Sequence, residues 1–328
     1  MTLQVRRLVM VLALIFFATP LNASAQHAGK VHRIGFLFAG TIAQRPQIEG
    51  LFERLRELGY IEGQNLVVER REAKGQLDRL PVLADELVRL KPDAIVAVTT
   101  PAVVAVKKAT QTIPVVMVVV HDPVRLGLVE SLARPEGNVT GPSLNSVDPA
   151  GKRLELMKEV LPSLSRIAMF WNARNPQNIP PMQATEKAAK ALGLSVEPLG
   201  FDGRDRLLDT LAKANWDRVG ALIVLSDAVT FDHRAEIVRF AAERGLPSVH
   251  VFPEEAQGGG LLAYGASLRD EYGRAGSYVD KILKGARPNS LPVEQTPKFD
   301  LVVNVKTARA LGLSIPQSLL LRADKVIQ

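Results

Sequence analysis

From residue 30 onward the sequence repeats one unit: a short β-branched run, a turn of small or polar residues, and an amphipathic helical stretch. That alternation constrains the fold more than any other feature, because parallel strands need a crossover of about a dozen residues and a helix is its usual filling. In the first half the runs fall at 34–38, 65–69, 94–98 and 115–120, with helical stretches between them. Over 47–58, Ile48, Leu51, Phe52, Leu55 and Leu58 share one face and Gly59 ends the pattern, while Glu53, Arg54, Arg56 and Glu57 face water. Over 78–90, Leu80, Leu83, Ala84, Leu87 and Leu90 form a second apolar stripe, with Asp78 as candidate cap.

The rhythm pauses in the turn-rich stretch 137–142 and then resumes, which marks a domain boundary. The second series reads as helix 150–160, strand 166–170, helix 182–192, strand 196–199, helix 204–214, strand 221–225, helix 234–244 and strand 248–251. A glycine-rich joint at 258–265 follows, then a long amphipathic helix at 269–284 that is expected to return to the first half. The tail offers a strand at 300–304 and helices at 305–311 and 317–327. At 328 residues the chain has room for about two domains of roughly 150 residues each. The fold class is therefore α/β: two Rossmann-like, doubly wound parallel-sheet lobes with a hinge and an interlobe cleft. Lobe 1 is expected to take 31–143 and 266–290, and lobe 2 to take 144–263 and 291–328.

The first 25 residues stand outside this pattern. Arg6 and Arg7 precede an apolar run over 8–18, Thr19 and Pro20 break it, and Ala23-Ser24-Ala25 offers a cleavage site before Gln26. This is the order of a secretory signal peptide, and its apolar run is too short to span a bilayer. No later segment is long and apolar enough for a transmembrane helix, so the mature chain is expected in the periplasm. There is no Cys, which removes disulfides, thiolate metal sites and cysteine nucleophiles. The net charge of +7 falls to +5 without Arg6 and Arg7, its basic residues are interspersed with acids, and aromatics are 5%. No nucleic-acid partner is expected on those grounds.

In an open parallel sheet, ligands bind beyond the carboxyl ends of the strands, where helix N-termini present free N–H groups. Two facing sheets make a cleft. The strand ends here carry Gly40-Thr41, Thr99-Thr100 and His121-Asp122 in the first half, and Asn172, Asp202-Gly203 and Ser226-Asp227 in the second. Small hydroxyls and amides suit a small polar solute, and they lack the assembled acid, base and nucleophile of a catalytic site. No phosphate-binding glycine motif opens a helix, and neither G-x-S-x-G nor H-E-x-x-H occurs. The five His, at 27, 32, 121, 233 and 250, show no ligand spacing, so no metal and no cofactor is expected.

Four blocks carry a family resemblance: LRELGYIEGQNL at 55–66, HDPVRLGLVESLARPEGNVTG at 121–141, SYVDKILKGARPNSLPVEQTPKFDLVVN at 277–304 and ALGLSIP at 310–316. The chain resembles, over nearly its whole mature length, the ABC-transporter substrate-binding proteins related to tryptophan- and tyrosine-binding receptors. The resemblance implies a type I periplasmic-binding-protein fold, three hinge strands, closure over a ligand, and docking on an ABC permease in the inner membrane. Carried over position by position, it places ligand contacts at Gly40, Thr41, Thr99, Thr100, His121, Asp122, Ser143, Asn145, Asn172 and Asp227. Thr100 and Thr41 would then hold a carboxylate, and Asp227 or Asp122 an amino group. Family members often show Asn-Pro where this chain has Trp171-Asn172.

Each residue also has a plainer reading. Thr99 and Thr100 can cap the helix from Pro101, Asp122 can cap a helix beginning at Pro123, and Asp227 can cap the helix after it. His121 can be a hydrogen-bonded wall residue, and Trp171 mere packing. The leading functional expectation is a monomeric periplasmic receptor that captures an amino acid or related carboxylate for an ABC importer. The alternatives are an exported α/β enzyme acting on a small carboxylate or sugar, with His121 and Asp122 as its acid/base pair, and a receptor that feeds a sensor kinase.

Overall fold

The structure, a computed structural model, describes residues 30–144 and 149–328, so the expected signal peptide and Asn145 lie outside the described residues. Strands β1 (His32–Phe38), β2 (Leu66–Glu72), β3 (Ala94–Val98), β4 (Val115–Val118) and β5 (Val139–Thr140) form a parallel sheet in the order β2-β1-β3-β4-β5. The short strand β6 (Pro142–Ser143) follows. A second sheet then begins with β7 (Arg166–Asn172), β8 (Ser195–Phe201), β9 (Ala221–Val224), β10 (Ser248–His250) and β11 (Leu262–Gly265). The chain returns to pair β12 (Glu294–Gln295) with β6, and finally adds β13 (Asp300–Asn304) and β14 (Lys325–Ile327) to the second sheet. That sheet runs β14-β13-β11-β10-β9-β7-β8 and is parallel except where β13 meets β11.

The sequence explains which strands lie inside. β3 reads AIVAV and is buried at every position, because helices cover both faces of a parallel sheet and leave no wet side for a polar residue. Buried apolar residues form clusters on both faces of each sheet, and the first lobe's clusters also take in Ala228, Phe231, Val251 and Phe252 from the second lobe. The long helix Leu268–Leu283 is capped by Ser267, whose Oγ accepts from the Asp270 N–H at 3.3 Å. It buries Tyr272, Ala275, Tyr278 and Val279 in the first lobe's core. Its close approach to the helix Glu49–Glu57 is set by glycine: a Cβ on Gly50 would lie 2.4 Å from the Arg269 carbonyl oxygen, and one on Gly276 would lie 3.1 Å from that of Leu51.

Four local expectations change. The helix expected over 317–327 stops at Arg322; the chain then extends, and the β-branched pair Val326-Ile327 serves β14 at the sheet edge. Of the joint at 258–265, the apolar part Leu262–Gly265 is strand β11, so the glycines make a turn ahead of it. No helix follows Asp122; turns do, and the Asp122 carboxylate accepts from the Arg125 N–H at 3.1 Å and from its Nε at 3.0 Å. Val139–Thr140 pairs as β5 rather than serving as a free turn. The tail divides between the sheets. Val293 N donates to Leu132 O at 2.7 Å and Thr140 Oγ1 to Leu291 O at 2.6 Å, so 291–296 runs along the first sheet before the chain crosses to β13. Among the described residues no helix is long and apolar enough to cross a membrane.

Candidate functional site

The carboxyl ends of β1, β3 and β4 face those of β7 and β9 across a cavity with about 700 Å³ of empty space, part of it open to solvent. Its walls come from both lobes. From the first come Ala39, Thr99, Thr100 and His121, and from the second Asn172, Asn175, Ser226 and Asp227. The backbone is unusual here. Thr99 has φ of 75° and Val119 φ of 57°, conformations that β-branched residues avoid and that a wall held in shape for a ligand can sustain. Thr99 precedes the helix Thr100–Ala109 but makes no side-chain cap, and its Oγ1 is buried without a partner.

Asp227 is fully engaged. Its Oδ1 accepts from Val229 N at 2.9 Å and Thr230 N at 3.0 Å, and its Oδ2 from Asn172 Nδ2 at 2.7 Å and Asn175 Nδ2 at 3.2 Å. Thr230 returns the bond by accepting from Asp227 N at 2.7 Å, which completes a capping box on the helix Ala228–Asp232. The carboxylate thus caps a helix and orients two amides along the cavity wall. His121 is different. Its Nδ1 is buried without a partner, and burial, reinforced by the charge of Arg153, pushes its pKa down to about 4, so it is neutral at pH 7.

Five of the residues expected from sequence, Thr99, Thr100, His121, Asn172 and Asp227, line the cavity together. Gly40, Thr41, Asp122 and Ser143 lie elsewhere. Gly40 is packed against the Phe38 ring, where a Cβ would come within 2.8 Å. Thr41 gives its N–H to Asp232 Oδ2 at 3.0 Å. The Asp122 side chain is 48% exposed beside Arg125. Ser143 is buried in β6, where its carbonyl accepts from Thr296 N at 3.0 Å. The acid/base pair imagined for an enzyme is therefore not assembled, because His121 faces the cavity and Asp122 faces water.

Two buried arginines at the site differ in the local signal they carry. Arg45 reaches from the first lobe to the second: Nε donates to Asp232 Oδ1 at 3.1 Å, Nη2 lies 3.0 Å from the same oxygen, and Nη2 donates to Ala228 O at 2.9 Å. Its guanidinium lies 3.9 Å from the Phe231 ring centroid. Nothing in the loop around Arg45 announces this, since its partners are some 190 residues away. Arg153 did carry a signal: it interrupts the apolar stripe Ala150, Leu154, Met157 of the helix Pro149–Val160, where a charge should not sit. It lies behind the main cavity in a smaller pocket that shares His121, Asn178 and Ser226 as walls. On the outer side the cavity continues into an apolar groove lined by Leu77, Leu80, Pro81, Pro101, Val104 and Pro176. Among the described residues no cluster of His, Asp or Glu could hold a metal ion.

A family model described as "ABC transporter substrate binding protein" matches residues 42–327. The chain belongs to this family. It is 26% identical over 266 residues to a tyrosine-binding protein of Clostridioides difficile (strain R20291), covering 81% of this chain and 76% of that one. Among solved structures, an ABC domain from Streptococcus pneumoniae in complex with L-Trp superposes with a TM-score of 0.83 at 26% identity, over 90% of this chain and 99% of the other. A conserved domain protein from Vibrio cholerae gives 0.84 at 26% identity, over 90% and 100%. As a member of the family, this protein is the substrate-binding component of an ABC transporter, built on the type I periplasmic binding fold.

Proposed function

We propose that the protein is a monomeric periplasmic receptor that captures an amino acid or related small carboxylate between its lobes and delivers it to an inner-membrane ABC permease. The cavity carries this reading: it sits at the carboxyl ends of both sheets, and each lobe supplies part of its wall. The tyrosine-binding relative and the L-Trp complex support an aromatic or similarly apolar solute. Lobe 1 comprises 31–143 and 266–296, and lobe 2 comprises 149–263 and 300–328, with hinge crossings between them. Thr99, Thr100 and His121 contact the solute from one side, and Asn172 and Asp227 from the other. Thr41 acts in closure through Asp232. No bond-making step is assigned to the site.

A ligand touching both lobes shifts the population toward the closed form. The mature protein should gain thermal stability with such solutes, because a ligand at 100 times its dissociation constant adds about 2.7 kcal/mol. Small-angle scattering should show a smaller radius of gyration at saturation. Binding with unchanged dimensions would contradict closure, and turnover of the solute would contradict a receptor.

A further inference from the structure

Arg153 is 1% exposed, and a cation that deep in a protein normally has a carboxylate against it. Its Nε donates to Tyr264 O at 2.8 Å, but among the described residues no carboxylate oxygen lies within ion-pair distance of it. The counter-charge acting on it is Glu255, also fully buried, whose two oxygens already accept from Ser226 Oγ at 3.0 Å and Phe252 N at 2.9 Å. Burial still outweighs Glu255, and the Arg153 pKa falls to about 10. The positive field reaches the ligand cavity, since it is felt at His121 on the shared wall. The small pocket holding Arg153 abuts that wall and is lined by His121, Asn178, Pro181, Leu225, Ser226 and Val251.

The acceptor side of the cavity is the reverse. Asp227 is the carboxylate that lines it among the described residues, and four donors occupy its two oxygens. An ammonium entering here would have to displace the Asn172 and Asn175 amides that Asp227 holds in place. Toward the mouth, Leu77, Leu80, Pro81, Val104 and Pro176 offer contact for an apolar body, and the charged residue on that wall is Lys108, which gives an ammonium no counter-charge.

We propose that the ligand is an organic acid with an apolar body and no required amino group, its carboxylate held at the inner pocket by Arg153 and its body directed to the apolar mouth. This rests on the receptor reading above and narrows its ligand class. His121 and Ser226, on the wall between the two cavities, donate to the same anion. The arrangement selects by charge at the inner end and by apolar contact at the outer end.

Calorimetric titration of the mature protein with three matched sets tests this: L-tryptophan and L-tyrosine, their deamino acids indole-3-propionate and 3-(4-hydroxyphenyl)propionate, and the decarboxylated amines tryptamine and tyramine. The deamino acids should bind at least as tightly as the amino acids, and the amines not measurably. Arg153→Met should weaken the acids about 100-fold with an unchanged circular-dichroism spectrum, and Arg153→Lys should recover part of that loss. Amino acids binding ten-fold or more tighter than their deamino acids, or amines binding at all, would overturn the proposal and leave the receptor reading standing. Full affinity in both folded Arg153 variants would overturn it as well. Silence across all three sets would count against the receptor reading itself.

Discussion

Two arginines are buried beside the cleft, and they differ in how their charge is met. Arg45, 6% exposed, has a carboxylate, a carbonyl and an aromatic face, all from the opposite lobe. Arg153, 1% exposed, has one carbonyl hydrogen bond and a counter-charge outside ion-pair distance. The first arrangement is complete without a ligand and exists when the lobes are together, so it favours closure. The second is incomplete and favours an incoming anion. Burial of a charge alone says little about its role; whether its partners are already present in the folded chain says much more.

The largest effect is expected where the completed arginine is broken. Asp232→Asn leaves the Arg45 guanidinium uncompensated in the closed form, and removing one partner of a buried pair costs about 3–5 kcal/mol. The lobes can escape that cost by opening, so scattering should show an expanded particle in the absence of ligand. The charge-swapped double variant Arg45→Asp/Asp232→Arg should be more compact than either single variant; dimensions equal to the parent's in both singles would show that the pair does not govern closure. Next comes Arg153→Met. Its expected 100-fold loss of carboxylate affinity corresponds to about 2.7 kcal/mol, with compaction in the absence of ligand kept.

Glu254 sharpens the comparison from the Arg45 side, because it acts electrostatically on Tyr272 together with Arg45 and Asp232. Burial, with a smaller contribution from neighbouring Glu255, pushes its pKa up to about 7, against the accepted bond from Leu268 N at 3.1 Å. A carboxyl raised in the folded state binds its proton more tightly there than in the unfolded chain. The stability it confers is complete below an unfolded pKa of about 4.3 and is lost as pH rises through about 7. Between pH 5 and 8 the parent should therefore lose on the order of 2–3 kcal/mol relative to Glu254→Gln. Thermal melts of both proteins at the two pH values read this difference, and parallel curves would refute it.

The smallest effect is expected for a helix-packing change in the first lobe, five residues along the chain from Arg45. Gly50→Ala forces a Cβ against the Arg269 carbonyl in the helix packing of the first lobe, at a cost of about 1–2 kcal/mol. Chemical denaturation should show that loss, and ligand affinity should stay at the parent value. A changed affinity would mean that helix packing in the first lobe is coupled to the cleft.

The difference between the arginines also explains what the sequence could and could not disclose. The strand at 94–98 matches the structure residue for residue, because continuous burial leaves a continuous apolar run. Asp227 was legible both as cap and as wall, since a strand end, an acid and a helix start are adjacent in the chain. The edge strand Lys325–Ile327 reads as helix in the sequence because three residues are too few for an alternation to show. Arg153 was visible as a charge on an apolar stripe, though the stripe could not say what faces it. Arg45 was invisible: its role exists in contacts with Asp232, Ala228 and Phe231, and local pattern holds no record of partners so far along the chain.

Scattering of two single variants with one saturating deamino acid, 3-(4-hydroxyphenyl)propionate, tests this division of roles most directly. At a ligand concentration that just saturates the parent, the account predicts that Arg45→Met starts more expanded than the ligand-free parent and contracts to the parent's liganded dimensions, whereas Arg153→Met starts at the ligand-free parent's dimensions and does not respond. Contraction of Arg153→Met, or an Arg45→Met protein as compact as the parent before ligand is added, would contradict it.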